Sequence, residues 1–253
     1  MNLLILMAGS SDSFQAAGYL YPKPLYEFSG KPLLQHVLEN LNPLFSLCSS
    51  VIVAVRRAEN AKHHTGAVVQ LLFPSVKLLQ VPDGTAGAAC TALLAADLLA
   101  ESEPLIIVNG DQILRTDLPG AIKSFQSNGL DGGILVFNDV HPKWSFVKTD
   151  PQGLVVEASE KRPISNLATA GFYYFAKAGS FVAAAQSMIL KGASVDGLFY
   201  VCPAYNEMIL TGKRIGVLKI DKRDYVSLTT LQLCEHYEAV LAAAPYHEKA
   251  QPR

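Results

Sequence analysis

The chain has 253 residues, 50% hydrophobic and 17% charged, with 21 basic against 22 acidic side chains and a formal net charge of -1. So apolar a composition, with charge well under the usual ~25%, excludes disorder, coiled coil and collagen, and a chain this long folds without disulfide or metal staples. The balanced charge leaves no whole-chain footprint for nucleic acid or an anionic membrane. The first predicted element is the apolar run Asn2–Met7, which ends at Ala8-Gly9. It lacks a basic flank, so it reads as a buried strand and not a leader peptide. Further short, β-rich runs follow at Ser50–Val55, Val76–Val81 and Pro104–Val108, with helical patterns between them at Leu33–Leu41, Ala58–Phe73, Ala86–Leu99 and Asp117–Asn128. Alternating strands and helices predict right-handed crossovers and a mainly parallel sheet.

The second half changes character. Gly132–Phe137, Ser145–Lys148, Leu154–Ala158 and Thr169–Phe175 read as strands separated by Gly, Pro and Asp turns. Helices are expected at Lys177–Lys191, Pro203–Thr211 and Leu228–Ala243, with a strand at Arg214–Ile220. The expectation is one α/β domain over 1–243, with halves 1–130 and 131–243, a mixed sheet extension in the second, and a polar tail at 244–253. No apolar run reaches the ~20 residues a membrane span needs, so a cytoplasmic protein is expected. Cys48, Cys90, Cys202 and Cys234 are scattered without a Cys-x-x-Cys pair, which favours reduced thiols over a zinc site.

In parallel sheets, ligands bind past the carboxyl ends of strands. The loop from Ala8 to Gly30 is long for a connection and contains Lys23 between Pro22 and Pro24. The prolines aim one ammonium at a fixed place, though the same pattern suits a rigid surface turn with a solvated lysine. Past the fourth strand, Asn109-Gly110-Asp111 puts a carboxylate at a strand tip, where it could hold Mg²⁺ or cap a helix. The small residues Thr85, Gly87 and Ala88 let a flat ring or a phosphate approach the backbone, and they also suit tight helix–sheet packing. Glu160-Lys161 could grip a sugar hydroxyl and a phosphate, or form a solvated turn. There is no Gly-x-Ser-x-Gly elbow, no Walker lysine and no Gly-x-Gly-x-x-Gly after the first strand, which argues against serine-hydrolase, P-loop and dinucleotide chemistry.

Several segments together resemble the sugar-phosphate nucleotidyltransferase superfamily, and most closely its branch associated with capsule and surface-polysaccharide biosynthesis. They are LLILMAG (3–9), YPKPL (21–25), GKPLLQHVLENL (30–41), GTAGAACTALLAADLL (84–99), NGDQIL (109–114), HPKWSFVK (141–148), EKRPISNLATAGFYYF (160–175) and FYVCPAYNEMI (199–209). The resemblance implies a Rossmann-like fold of the GT-A kind, with a nucleotide-binding first half and a sugar-binding second half. It implies transfer of a nucleoside monophosphate from a triphosphate to a sugar phosphate, with pyrophosphate released and Mg²⁺ expected; a homo-oligomer is left open. By carry-over, Lys23 would stabilise the phosphates and Asp111 would bind the metal. Ala8, Gly9, Ser13, Thr85, Gly87, Ala88, Asn109 and Gly110 would cradle the nucleotide. Glu160, Lys161 and Gly171 would hold the sugar phosphate.

The resemblance also implies departures. The family's first loop reads Gly-x-Gly-Ser/Thr-Arg-Phe, but here Ser11 replaces the second glycine, Asp12 the hydroxyl residue and Ser13 the arginine. Serine cannot copy a guanidinium fork, a charge-assisted bond worth roughly 1.5–3 kcal/mol is lost, and Asp12 adds negative charge where a triphosphate would lie. Arg56, Arg57 or Lys31 are candidate replacements. Ser227 stands where many relatives carry a second metal-binding aspartate, and Thr229 where they carry a glycine. The alternatives are a homologue that binds nucleotide or sugar phosphate without catalysis, or a glycosyltransferase on the same scaffold.

Overall fold

The opening apolar run becomes β1 (Asn2–Leu6), and its alternation sends Leu3 and Ile5 into one buried cluster and Leu4 into another. A strand buries both sides only when its sheet is covered on both faces. The computed structural model describes residues 1–243, and the expected polar tail from Ala244 lies outside the described residues.

After β1 come α1 (Asp12–Ala16), the hairpin of β2 (Glu27–Phe28) and β3 (Lys31–Pro32), α2 (Leu33–Phe45), β4 (Ser50–Arg56), α3 (Arg57–His63), α4 (Thr65–Leu72), β5 (Lys77–Val81), α5 (Ala88–Leu93), β6 (Leu105–Asn109), β7 (Gln112–Leu114) and α6 (Leu118–Ser127). The second half adds β8 (Gly132–Asn138), β9 (Ser145–Thr149), β10 (Val155–Glu160), β11 (Leu167–Phe175), α7 (Ala178–Leu190), α8 (Ala204–Leu210), β12 (Ile215–Lys219), β13 (Tyr225–Ser227) and α9 (Leu231–Ala243).

Strands β5, β4, β1 and β6 lie side by side and parallel, and β11 then joins β6 antiparallel. Beyond it the sheet is mixed: β9 and β10 pair antiparallel, β8 runs antiparallel along β11, and β12 runs parallel to β8. This is the α/β class read from the sequence, parallel in its first half and mixed in its second. One nine-stranded sheet takes strands from both halves.

Three local differences have physical causes. The pattern at 58–73 breaks into α3 and α4 because His64 adopts left-handed backbone, φ 55°. The expected helix at 86–99 starts only after Gly87 and gives way to a short 3-10 turn at Ala96–Leu98. The short pair β7–β13 has no counterpart in the sequence pattern, because three-residue strands carry too little periodicity.

Candidate active site

The chain runs from β1 outward to β4 and β5, then returns to lay β6 on the other side of β1. This reversal opens a crevice past the ends of β1 and β6. There the Gly110 N–H donates to the Leu6 carbonyl at 2.9 Å, and a Cβ at Gly110 would run into Met7 and the Leu6 backbone. Gly110 is therefore a packing position: its lack of a side chain lets the two strand ends cross.

One residue further, Asp111 Oδ2 lies 2.7 Å from Lys23 Nζ. The lysine is only 5% exposed, so the alternative of a solvated lysine on a surface turn is overturned. Pro22 and Pro24 set up a single 3-10 turn, Lys23–Leu25, that directs the side chain inward. Ser11, buried, fixes the same turn from the other side. Its Oγ accepts the Lys23 backbone N–H at 3.0 Å and donates to Glu59 Oε1 at 2.8 Å. The serine that replaces a family glycine thus has a positioning task of its own.

Above this pair lies a cleft of about 510 Å³, within the usual range for small-molecule sites. Ala8, Gly9, Arg56, Thr85, Gly87, Ala88, Asn109, Asp111, Glu160 and Gly171 all line it. Lys23 sits beneath, its Nζ 3.2 Å from where a Cβ on Gly9 would stand. Ser13, Gly110 and Lys161 are not among the lining residues. Ser13 belongs to α1, and its Oγ donates to the Thr229 carbonyl at 3.2 Å. Lys161 points elsewhere, to Asp196 Oδ2 at 3.0 Å.

Arg56, at the end of β4, donates through Nε to the Ala8 carbonyl at 3.1 Å. That bond leaves the two terminal nitrogens of the fork for the cleft. Of the other suggested replacements, Lys31 is engaged with Glu39 at 2.7 Å and Arg57 is exposed at the start of α3; neither lines the cleft. On the opposite wall both readings of the small-residue loop hold. Thr85, Gly87 and Ala88 face the cleft, while Gly87, at φ 103°, has the Phe199 backbone where its Cβ would go. Phe199 N–H donates to the Ala86 carbonyl at 2.8 Å, and its own carbonyl accepts from Ala89 N–H at 2.9 Å.

At the far end, Gly171 forms a bulge in β11, φ 60°, with the Asn109 and Gln112 side chains filling its Cβ position. One side of the bulge pairs with β6 through Phe172–Phe175, the other with β9 at Ala168. Beside it, Glu160 ends β10 opposite Ser145 of β9; it is 8% exposed and accepts a hydrogen bond from Ser145 Oγ. Burial pushes the Glu160 carboxyl above its ordinary range, against the downward pull of the Ser145 hydroxyl and the Lys161 charge.

Sequence reasoning did not single out Lys143, Trp144, Ser145, Tyr173, Tyr200 or Tyr225, all of which line the cleft. Five of them lie in HPKWSFVK, EKRPISNLATAGFYYF and FYVCPAYNEMI, but nothing local marks which side chain faces in. The segment of the replaced aspartate does reach Asp111: Leu228 N–H donates to the Asp111 carbonyl at 2.8 Å, and Ser227 pairs with Gln112 across β13 and β7. Burial first, and the Asp111 charge second, raise the Tyr225 hydroxyl well above its ordinary pKa.

The described residues contain no cluster of three or more His, Cys, Asp or Glu able to cage a metal. A single carboxylate at a cleft floor fits a hard divalent ion that completes its shell with phosphate oxygens and water.

Among curated proteins, the chain is 33% identical over 180 residues to a mannose-1-phosphate guanylyltransferase catalytic subunit beta of Drosophila melanogaster, covering 68% of this chain and 47% of that protein. It is 25% identical over 182 residues to the low-salt glycan biosynthesis nucleotidyltransferase Agl11 of Haloferax volcanii, covering 70% of this chain and 50% of that protein. It therefore spans about half the length of these relatives. Among solved structures, the nucleoside-diphosphate-sugar pyrophosphorylase of Vibrio cholerae superposes with a TM-score of 0.81 at 24% identity, over 94% of this chain and all of that one, and so shares the fold. No described helix is long and apolar enough to cross a membrane. With the nucleotidyl transferase family model matching residues 3–198, the chain belongs to that family.

Proposed function

We propose that the cleft transfers a nucleoside monophosphate from a nucleoside triphosphate to a sugar phosphate, giving a nucleotide sugar and pyrophosphate. The observation that carries this reading is the convergence of Lys23 and Asp111, far apart in the chain, at 2.7 Å beneath a cleft formed at the strand switch. An acceptor phosphate oxygen attacks the α-phosphorus in line, the new P–O bond forms, and the bond to pyrophosphate breaks. Such chemistry asks little of a protein beyond positioning and charge neutralisation. Lys23 supplies a fixed ammonium at the floor, and Arg56 supplies the fork that Ser13 does not. Asp111 would hold Mg²⁺, which, when bound, neutralises phosphate charge. Thr85, Gly87 and Ala88 form the wall for the nucleotide, and Glu160 receives acceptor hydroxyls. The resemblance to the capsule-associated branch, together with the glycan-biosynthesis relative, supports use of the product in surface polysaccharide assembly, with synthesis in the cytoplasm.

One observation favours a second reading. The loop after β1 is a short helix without a cation, with Asp12 exposed in it and Ser13 tied to Thr229. That construction suits a protein that binds these ligands without turning them over. A pyrophosphate-release assay with Mg²⁺, run across the common nucleoside triphosphates and a panel of sugar phosphates, separates the two. Release from at least one pair, reduced at least tenfold in Arg56→Ala, is the expected result. No release from any pair, with ligand-induced thermal shifts intact, would sink the catalytic reading in favour of the second.

A further inference from the structure

Among the described side chains lining the cleft, two are cationic: Arg56 at the β1 end and Lys143 at the Glu160 end. We infer that Lys143, and not Lys161, is the residue that grips the phosphate of the acceptor. The inference rests on the nucleotidyl-transfer reading above and supplies the cation that reading lacks on the acceptor side.

Lys161 is poorly placed for the task. Its backbone is left-handed, φ 55°, and its ammonium is held by Asp196 at 3.0 Å and lies 5.5 Å from the Tyr200 ring centroid. That pair is exposed and weak, and what decides against Lys161 is its place: Lys143 lines the cleft and Lys161 does not. Lys143 has no carboxylate within ion-pair distance among the described residues. Its ammonium lies over the Trp144 indole, 4.4 Å from the centroid. An aromatic face restrains a cation without neutralising it.

The turn that carries Lys143 is constructed around Asp139. One carboxylate oxygen of Asp139 accepts the N–H groups of Val140 and His141 at 2.7 and 2.9 Å. The other accepts the Trp144 indole N–H at 3.0 Å and pairs with Lys222 at 2.8 Å. The one acid of residues 139–144 is thus engaged by other groups and not by Lys143. His141 Nδ1 accepts the Lys143 backbone N–H at 3.2 Å, which fixes the residue further. Two residues on, Ser145 binds the Glu160 carboxylate. The start of β9 therefore brings together a cation for a phosphate and an acid for hydroxyls. The ligand class is a phosphomonoester with free hydroxyl groups.

Isothermal titration of the full chain tests this with mannose 1-phosphate, glucose 1-phosphate and inorganic phosphate as probes, and UTP and GTP as controls. Lys143→Ala should weaken the phosphate-bearing probes by roughly 10- to 100-fold and leave the nucleotides within about twofold. Lys143→Arg should restore most of the loss, and Lys161→Ala should cost less than Lys143→Ala. Because Lys143 is exposed, none of these changes disturbs the core. If the wild-type chain takes up a phosphate probe and Lys143→Ala takes it up equally well, or if Lys161→Ala is the damaging change, the assignment to Lys143 falls alone. If the wild-type chain takes up none of the three probes, the acceptor reading falls with it.

Discussion

Lys23 is the more buried partner of its ion pair, with a side chain 6% exposed against 21% for Asp111, and the two partners should not be equal in their loss. Asp111→Ala strands a buried ammonium, which costs about 3–5 kcal/mol. Lys23→Met leaves a carboxylate that water can reach, at about 1–3 kcal/mol. Urea unfolding should rank them in that order, and the reverse order would show that burial does not govern the pair. Glu160 makes the complementary case. Burial raises its carboxyl pKa in the fold, so its ionisation works against folding, and stability falls as pH rises through the folded value. Glu160→Gln should match or exceed the wild type in thermal unfolding near pH ~8, with the difference closing toward pH ~5, while acceptor binding is lost. Lys23 was legible from the prolines that flank it, and Asp111 and Glu160 from their places at or just past strand ends. Lys143 was not, because what frees it is the engagement of Asp139 by Lys222, a residue distant in sequence. Ser11 read as a loss for a similar reason: its value lies in the contact with Lys23 and Glu59.

Among the elements, the loop into α5 has the strictest demands. Gly87 combines a backbone that side chains rarely adopt with the Phe199 backbone at its Cβ position. Gly87→Ala should cost roughly 2–4 kcal/mol and detach the 199–201 wall from the loop of Thr85, Gly87 and Ala88. Limited proteolysis near Phe199 would report the detachment, and an unchanged cleavage pattern with unchanged stability would show that the wall is held by other contacts. The strands and most helices were legible because their apolar periodicity is local and both faces of the sheet are buried. The break at His64 was not, since a single left-handed residue leaves the helical pattern of 58–73 intact. The bulge at Gly171 escaped for the opposite reason, being defined by which strand pairs on each side of it.

At the scale of the molecule, the sequence divides at about residue 130 while the sheet does not. Strand β11 pairs Phe172–Phe175 against Val108–Leu105 of β6, and β13 pairs with β7 beside Asp111. Register between distant strands has no local signature, so the sequence reads as two halves while their seam stays hidden. The seam runs through the cleft, and neither half carries a complete site: Lys23, Arg56 and Asp111 come from one half, Lys143 and Glu160 from the other. A fragment of residues 1–130 would bare the edge of β6, whose Leu105, Ile106, Ile107 and Val108 are all buried in the whole chain. A flat apolar edge of that kind pairs with copies of itself. The fragment should therefore aggregate or remain unfolded when expressed alone, and co-expression with residues 131–243 should recover soluble material. A monomeric 1–130 fragment with a cooperative thermal transition would mean that the first half stands as a domain of its own. The second half would then be an addition to a finished unit, and the shared sheet a docking surface between two separately stable parts.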